Sequence, residues 1–297
     1  MKELLSSTEL LLNHIYWFHQ DFGIQPQKEH IGSTINWTDI SDRTHDFLTE
    51  LITTVTHWVY NKQITKEIVN ERLKETGGDH QNAYTFLTTQ AFSKFRPGHP
   101  QGQFGELLLF NFIQYFFKAA PLLRKQRITT SIGHERFGAD AIHYKKEGED
   151  NVIYLGESKC YRSDYQFRKA FETSLDSIVT TVTNFNKELE LYLYGDFIEP
   201  ELEGIARDYK AGKLKNVKFE LICLVAYNET ENINGMTETE IKQSIKTVIE
   251  NRCKSLGREC FDAVDEKILR RINYIIFPIW SLEQLLDAFQ LRVGSTT

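Results

Sequence analysis

The sequence predicts an α/β fold in which a mixed central sheet is flanked by helices and preceded by a mainly helical N-terminal region. Three observations predict it. Apolar side chains recur at helical spacing through residues 41–95, a breaker cluster spans Arg96–Pro100, and beyond it the pattern runs helix, three short strands, long helix, strand. Prolines at 97 and 100 disfavour helix at the residue before them and lack a backbone donor, which divides the chain into 1–95 and 96–297.

The elements follow in order. An apolar start reaches Phe22, and a loop carries Gly23, Pro26 and Gly32. A helix is expected from Ser41, with Phe47, Leu48, Leu51, Ile52, Val55, Val59 and Tyr60 on its buried face, and Ile64, Ile68 and Leu73 continuing the pattern. Past the breaker, Gln103–Lys118 is a strongly apolar helix with Glu106 in its first turn. Strand-like runs follow at Gln126–Ser131, Gly138–Lys145 and Asn151–Cys160, and Asp164 is placed to cap a long helix running to Glu188. Val217–Tyr227 is a β-branched apolar run suited to a buried strand. Thr237–Asn251 is a helix with Thr237 and Glu240 at capping-box spacing, Ile272–Ile279 a last strand, and Ser281–Leu291 a last helix with a Ser-x-x-Gln box.

At 297 residues, with 41% hydrophobic and 26% charged side chains, the chain has the composition of a folded protein that can bury a sizeable core. Its formal net charge of −6 excludes a surface coated in positive charge, so contact with nucleic acid has to be local. The local cations are Lys159, Arg162, Arg168 and Lys169, opposed in that stretch only by Asp164. No apolar run reaches the roughly 18–20 residues of a membrane span, because Asn111 and Gln114 interrupt Leu107–Phe117, and the start has no secretory pattern. A cytoplasmic protein is expected, without membrane contact. Cys160, Cys223, Cys253 and Cys260 are too scattered for a zinc site and read as reduced, mostly buried thiols.

The chemistry concentrates around residue 157. In a strand, Glu157 and Lys159 share one face and Ser158 points to the other. Two charges on one face of an otherwise apolar strand need a partner or a metal, since burying charge is costly. The preceding run holds Asp140 between Ala139 and Ala141, and a hairpin centred on Gly148–Glu149 would set Asp140 directly opposite Glu157, with Cβ atoms about 4.5–5.5 Å apart. Carboxylates that close repel unless a divalent cation lies between them. Mg²⁺ is the expected ion, with Mn²⁺ as a substitute, because it takes a few carboxylate oxygens and keeps positions for a phosphate oxygen and a water. Lys159 can orient that water or neutralise charge building on phosphate, Glu106 can add a carboxylate, and the Ser158 carbonyl a further ligand. The plain alternative is an ion pair between Glu157 and Lys159 and a turn-capping Asp140, and an ExK string alone does not exclude it.

At Phe104–Leu109 (FGELLL), Gly138–Asp140 (GAD) and Leu155–Lys159 (LGESK) the chain resembles the HamA family, the nuclease subunits of Hachiman anti-phage systems. The resemblance covers roughly residues 100–290. It implies a restriction-endonuclease-like core of the PD-(D/E)xK type, which degrades DNA beside a helicase subunit, HamB. Carried over, the metal ligands fall on Asp140 and Glu157, the lysine on Lys159 and the helical glutamate on Glu106, while Ala139 stands where the broad superfamily has proline. Two rival readings remain: a non-catalytic DNA-binding or adaptor subunit of a helicase complex, and an interaction protein whose first 95 residues do the work.

Overall fold

The computed structural model describes residues 2–38, 43–95, 100–124, 138–161, 166–192 and 198–294. Seven strands form one mixed sheet in the order β1-β2-β7-β6-β5-β4-β3. A short helix α1 (Glu9–Leu12) leads into β1 (Ile15–Gln20) and β2 (His30–Ile35), then come helices α2 (Thr44–Thr53), α3 (Val55–Val59), α4 (Lys62–Glu75) and α5 (His80–Phe92). The core follows as α6 (Pro100–Phe117), β3 (Ala120–Leu123), β4 (Ala141–Glu147), β5 (Asp150–Tyr161), α7 (Phe167–Tyr192) and α8 (Glu203–Lys210). It closes with β6 (Val217–Asn228), α9 (Glu238–Lys254), α10 (Glu266–Leu269), β7 (Ile272–Ile279) and α11 (Leu282–Gly294). Strands β3, β4 and β5 pair antiparallel, whereas β5, β6, β7 and β2 run parallel. The fold is thus α/β with a mixed sheet between helices, as the pattern after residue 100 predicts. No helix among the described residues is long and apolar enough to cross a membrane.

Two apolar layers hold the sheet. Phe104, Leu107, Leu108 and Phe112 of α6 pack with α2 and α11 on one face, against Val152, Tyr154, Leu224 and Phe277. Phe167, Phe171, Leu175 and Ile178 of α7 pack with α9 on the other, against Ile153, Leu155, Val225 and Ile276. The polar residues that interrupt α6 are tied down: Asn111 Nδ2 donates to Thr54 Oγ1 and the Leu107 carbonyl, and Gln114 accepts from Ser6 N. Just after β3, the buried Arg124 forks onto Glu199 Oε2 through Nε and Nη2, at 3.1 and 3.0 Å, and also donates to the His57 carbonyl.

The structure corrects the reading of the first 35 residues and adds a strand after α6. Residues 15–35, read as an apolar start and a loop, supply the antiparallel pair β1–β2, whose inner strand extends the sheet alongside β7. Gly32 is a strand residue paired with Phe18, and a Cβ there would collide with the Phe18 ring. The first strand of the core is β3, immediately after α6; the expected strand at 126–131 lies outside the described residues. Pro121 sits within β3 because an edge strand tolerates a residue without a donor. Ser281 stands immediately before α11 with a left-handed φ of +59°, its carbonyl accepts from Leu285 N, and Leu282 N donates to Asn228 Oδ1. The capping box at Thr237 and Glu240 forms as its spacing predicts. The Arg96–His99 part of the breaker and the Asp164 cap also lie outside the described residues.

Candidate functional site

The site grows from the hairpin of β4 and β5. Gly148, with φ of +56°, makes the turn that the polar 146–151 segment requires, and the ladder pairs Glu147 with Asp150 through to Ala141 with Gly156. This is the register of a hairpin centred on Gly148–Glu149. The ladder ends one residue later: Asp140 N donates to the Gly156 carbonyl at 2.9 Å, not to Glu157, so Asp140 leaves the regular strand at the level of Glu157. Its side chain serves where a backbone acceptor would, with Oδ2 accepting from Ser158 N at 2.8 Å and Ser158 Oγ at 3.2 Å.

Glu157 and Lys159 lie on the α7 face of β5, paired with Cys223 and Val225 of β6. The Glu157 carboxylate is only 2% exposed. Oε2 accepts from Ser177 Oγ at 2.7 Å and from Lys159 Nζ at 3.4 Å, and Oε1 accepts from Thr181 Oγ1 at 2.7 Å. Burial, and next the charge of Asp140, push its pKa from 4.5 up to about 7, against the pull of Lys159 and the two hydroxyls. The buried Glu157 feels the charge of the half-buried Asp140, and that repulsion is what a cation would relieve. The Lys159 side chain keeps 24% exposure beside the buried Glu157.

Ser158 and Cys160 face α6, where a Cβ on Gly105 would come within 3.0 Å of Ser158 Oγ. Glu106 follows Gly105 and is half-buried in the helix that covers the sheet face opposite Glu157. Among the described residues no three His, Cys, Asp or Glu side chains gather closely enough to hold a metal ion. The structure therefore brings Asp140, Glu157, Ser158 and Lys159 together, and Glu106 sits on α6, next to the Gly105 that faces Ser158. Of the local cations, Arg168 is engaged by Glu172 and Glu259, and Lys169 stands over the Tyr161 ring at 5.8 Å; Arg162 lies outside the described residues. The four cysteines are free thiols, two buried and two half-buried.

The HamA family model matches residues 13–293, from just before β1 to within α11. The chain belongs to the HamA family. No curated protein matches it. Membership makes the chain a component of Hachiman anti-phage defence, a system of several subunits. Sequence reasoning missed two residues that hold Glu157, Ser177 and Thr181. The signal was present: hydroxyls four residues apart on a helix that follows the site strand, on a mainly apolar stripe.

Proposed function

We propose that this HamA protein is a metal-dependent DNA nuclease that works beside a helicase subunit. One observation carries the reading: a buried Glu157 is flanked by Asp140 at the end of the hairpin and by Lys159 on its own face. The donor set fits Mg²⁺, which prefers carboxylate oxygens, and a divalent cation would relieve the repulsion of Asp140 that helps to raise Glu157. Asp140 and Glu157 would hold it, with Glu106 and the Ser158 carbonyl as further ligands. Bound there, the ion supplies Lewis acidity and a water of lowered pKa. Lys159 orients the attacking water and balances the negative charge that develops on phosphate, a task for a compact ammonium. The apolar layers around Glu157 exclude bulk water and strengthen both interactions.

The test is relaxation of supercoiled plasmid with and without Mg²⁺, by the chain alone and with its helicase partner. Cleavage that needs the metal and disappears in Asp140→Ala and Glu157→Gln supports the reading. Metal-independent cleavage, or full activity in both variants, overturns it. A second reading, a non-catalytic adaptor for the helicase, draws on the hydrogen bonds already made by both Glu157 oxygens and on the lack, among the described residues, of a group of three metal-binding side chains. It predicts helicase docking without cleavage under any pairing.

A further inference from the structure

We infer that Ser177 and Thr181 are positioning residues that aim the Glu157 carboxylate toward a divalent cation; this rests on the metal-dependent reading above. Both stand on α7, one turn apart, and each holds a different oxygen of the same carboxylate at 2.7 Å. Two hydroxyls on two oxygens fix the plane of the carboxylate as well as its place. Each carboxylate oxygen offers two lone-pair directions, and a hydroxyl takes one of them.

The rest of α7 shows that these bonds are not the default for its hydroxyls. Thr173, Thr180 and Thr183 donate to carbonyls of their own helix four residues earlier, at Lys169, Asp176 and Val179. Ser177 and Thr181 instead donate outward, across the helix–sheet interface. They do so from a stripe that also holds the buried apolar Ala170, Leu175, Ile178 and Phe185 and one further hydroxyl, Ser174, which is buried and makes no side-chain hydrogen bond. Polar groups in such a layer are destabilising unless their partner repays the desolvation. Here that partner is the carboxylate on which the chemistry turns. Residues that orient a metal ligand without touching the metal typically change affinity 10–100-fold when removed.

The experiment compares the full-length chain with Ser177→Ala/Thr181→Val, with each of those changes alone, and with the hydroxyl-preserving exchange Ser177→Thr/Thr181→Ser. Mn²⁺ binding is read by electron paramagnetic resonance, and thermal unfolding in EDTA confirms that each variant folds. The double removal is expected to weaken Mn²⁺ binding on the order of 10–100-fold, each single change by less, and the exchange to keep wild-type affinity. Should the double variant be unfolded, the two single variants carry the comparison. Wild-type affinity in the variants lacking hydroxyls would overturn the inference. So would equal weakening by the exchange, since packing and not hydrogen bonding would then be at work. A wild-type chain that binds no Mn²⁺ would overturn the metal-dependent reading itself, and this inference with it.

Discussion

Glu157→Gln is expected to make the metal-free protein more stable at pH 8 while removing its function. The carboxyl is 2% exposed and its folded pKa is raised from 4.5 to about 7. The folded state therefore holds a proton that the unfolded state gives up between those values. Its favourable contribution is complete below pH 4.5 and is lost as pH rises through 7. At about 1.4 kcal/mol per pH unit, the ionised carboxylate costs about 3 kcal/mol at pH 8. Glutamine keeps the shape and can still meet Ser177 and Thr181, but it carries no charge to repel Asp140. The attraction of Lys159, lost with the charge, is already contained in that cost. A net gain near 3 kcal/mol corresponds to roughly 6–12 °C in Tm, taking about 2–4 °C per kcal/mol for a chain of this size class. The assay is thermal unfolding in EDTA at pH 8 and below pH 5, repeated at saturating Mg²⁺. The advantage should fade below pH 5, and Mg²⁺ should reverse the order by stabilising only the wild type. A variant no more stable than wild type at pH 8, or a difference that does not change with pH, would refute the argument that Glu157 is a buried, repelled carboxylate.

Lys159→Ala should lower single-turnover cleavage at saturating Mg²⁺ on the order of 10²–10³-fold while Mn²⁺ binding persists, because both carboxylates remain; near wild-type rates would remove this lysine from the mechanism. Lys159→Arg should fail as well, since a planar guanidinium that stays protonated replaces neither a compact charge nor a proton acceptor. Acid should destabilise the fold through two buried histidines. Burial lowers His143 to about 3 and His30 to about 4, so each contributes stability that is complete above pH 6.5 and is lost at up to about 1.4 kcal/mol per unit as pH falls toward those values. Urea midpoints between pH 7 and 4 measure this, and His143→Gln should flatten the profile. Arg124→Ala leaves Glu199, itself 1% exposed, without its guanidinium, and chemical denaturation should show a loss of about 3–5 kcal/mol. A loss below 1 kcal/mol would mean that water reaches the pair.

What was legible in the sequence was periodic. The period of two in 152–160 set Glu157 and Lys159 on one face, and the polar 146–151 turn fixed the hairpin register within which Asp140 arrives beside them. The β-branched run at 217–227 and the last strand at 272–279 are continuous apolar stretches because parallel neighbours and helices bury both of their faces. What was not legible depends on partners distant in sequence. Ile15–Gln20 is too short for periodicity to separate strand from helix, and it becomes a strand by pairing with His30–Ile35, which in turn pairs with a strand some 240 residues later. Ser177 and Thr181 look like ordinary polar interruptions of a helix until the sheet places a carboxylate opposite them. Glu106 was assigned from its helix and a resemblance, and a helix position alone does not say on which side of the sheet the side chain arrives.

The cost calculated for Glu157 bears on why the hairpin ladder ends where it does. Had β4 continued one residue in register, Asp140 would have spent its backbone on Glu157 and its side chain on a face of the sheet. By leaving the ladder, it turns a carboxylate oxygen to Ser158 N and Oγ, while its charge still raises the pKa of Glu157. Burial and the charge of Asp140 together raise Glu157, so the buried acid carries the repulsion. The two acids are thereby set apart: Asp140 accepts from the Ser158 backbone and hydroxyl, whereas Glu157 is buried and raised to about 7. On the metal-dependent reading proposed above, an ion bound here would release a proton from Glu157 near neutral pH. That release would tie site occupancy to pH in the range around 7, a coupling that two equally solvated carboxylates would not produce.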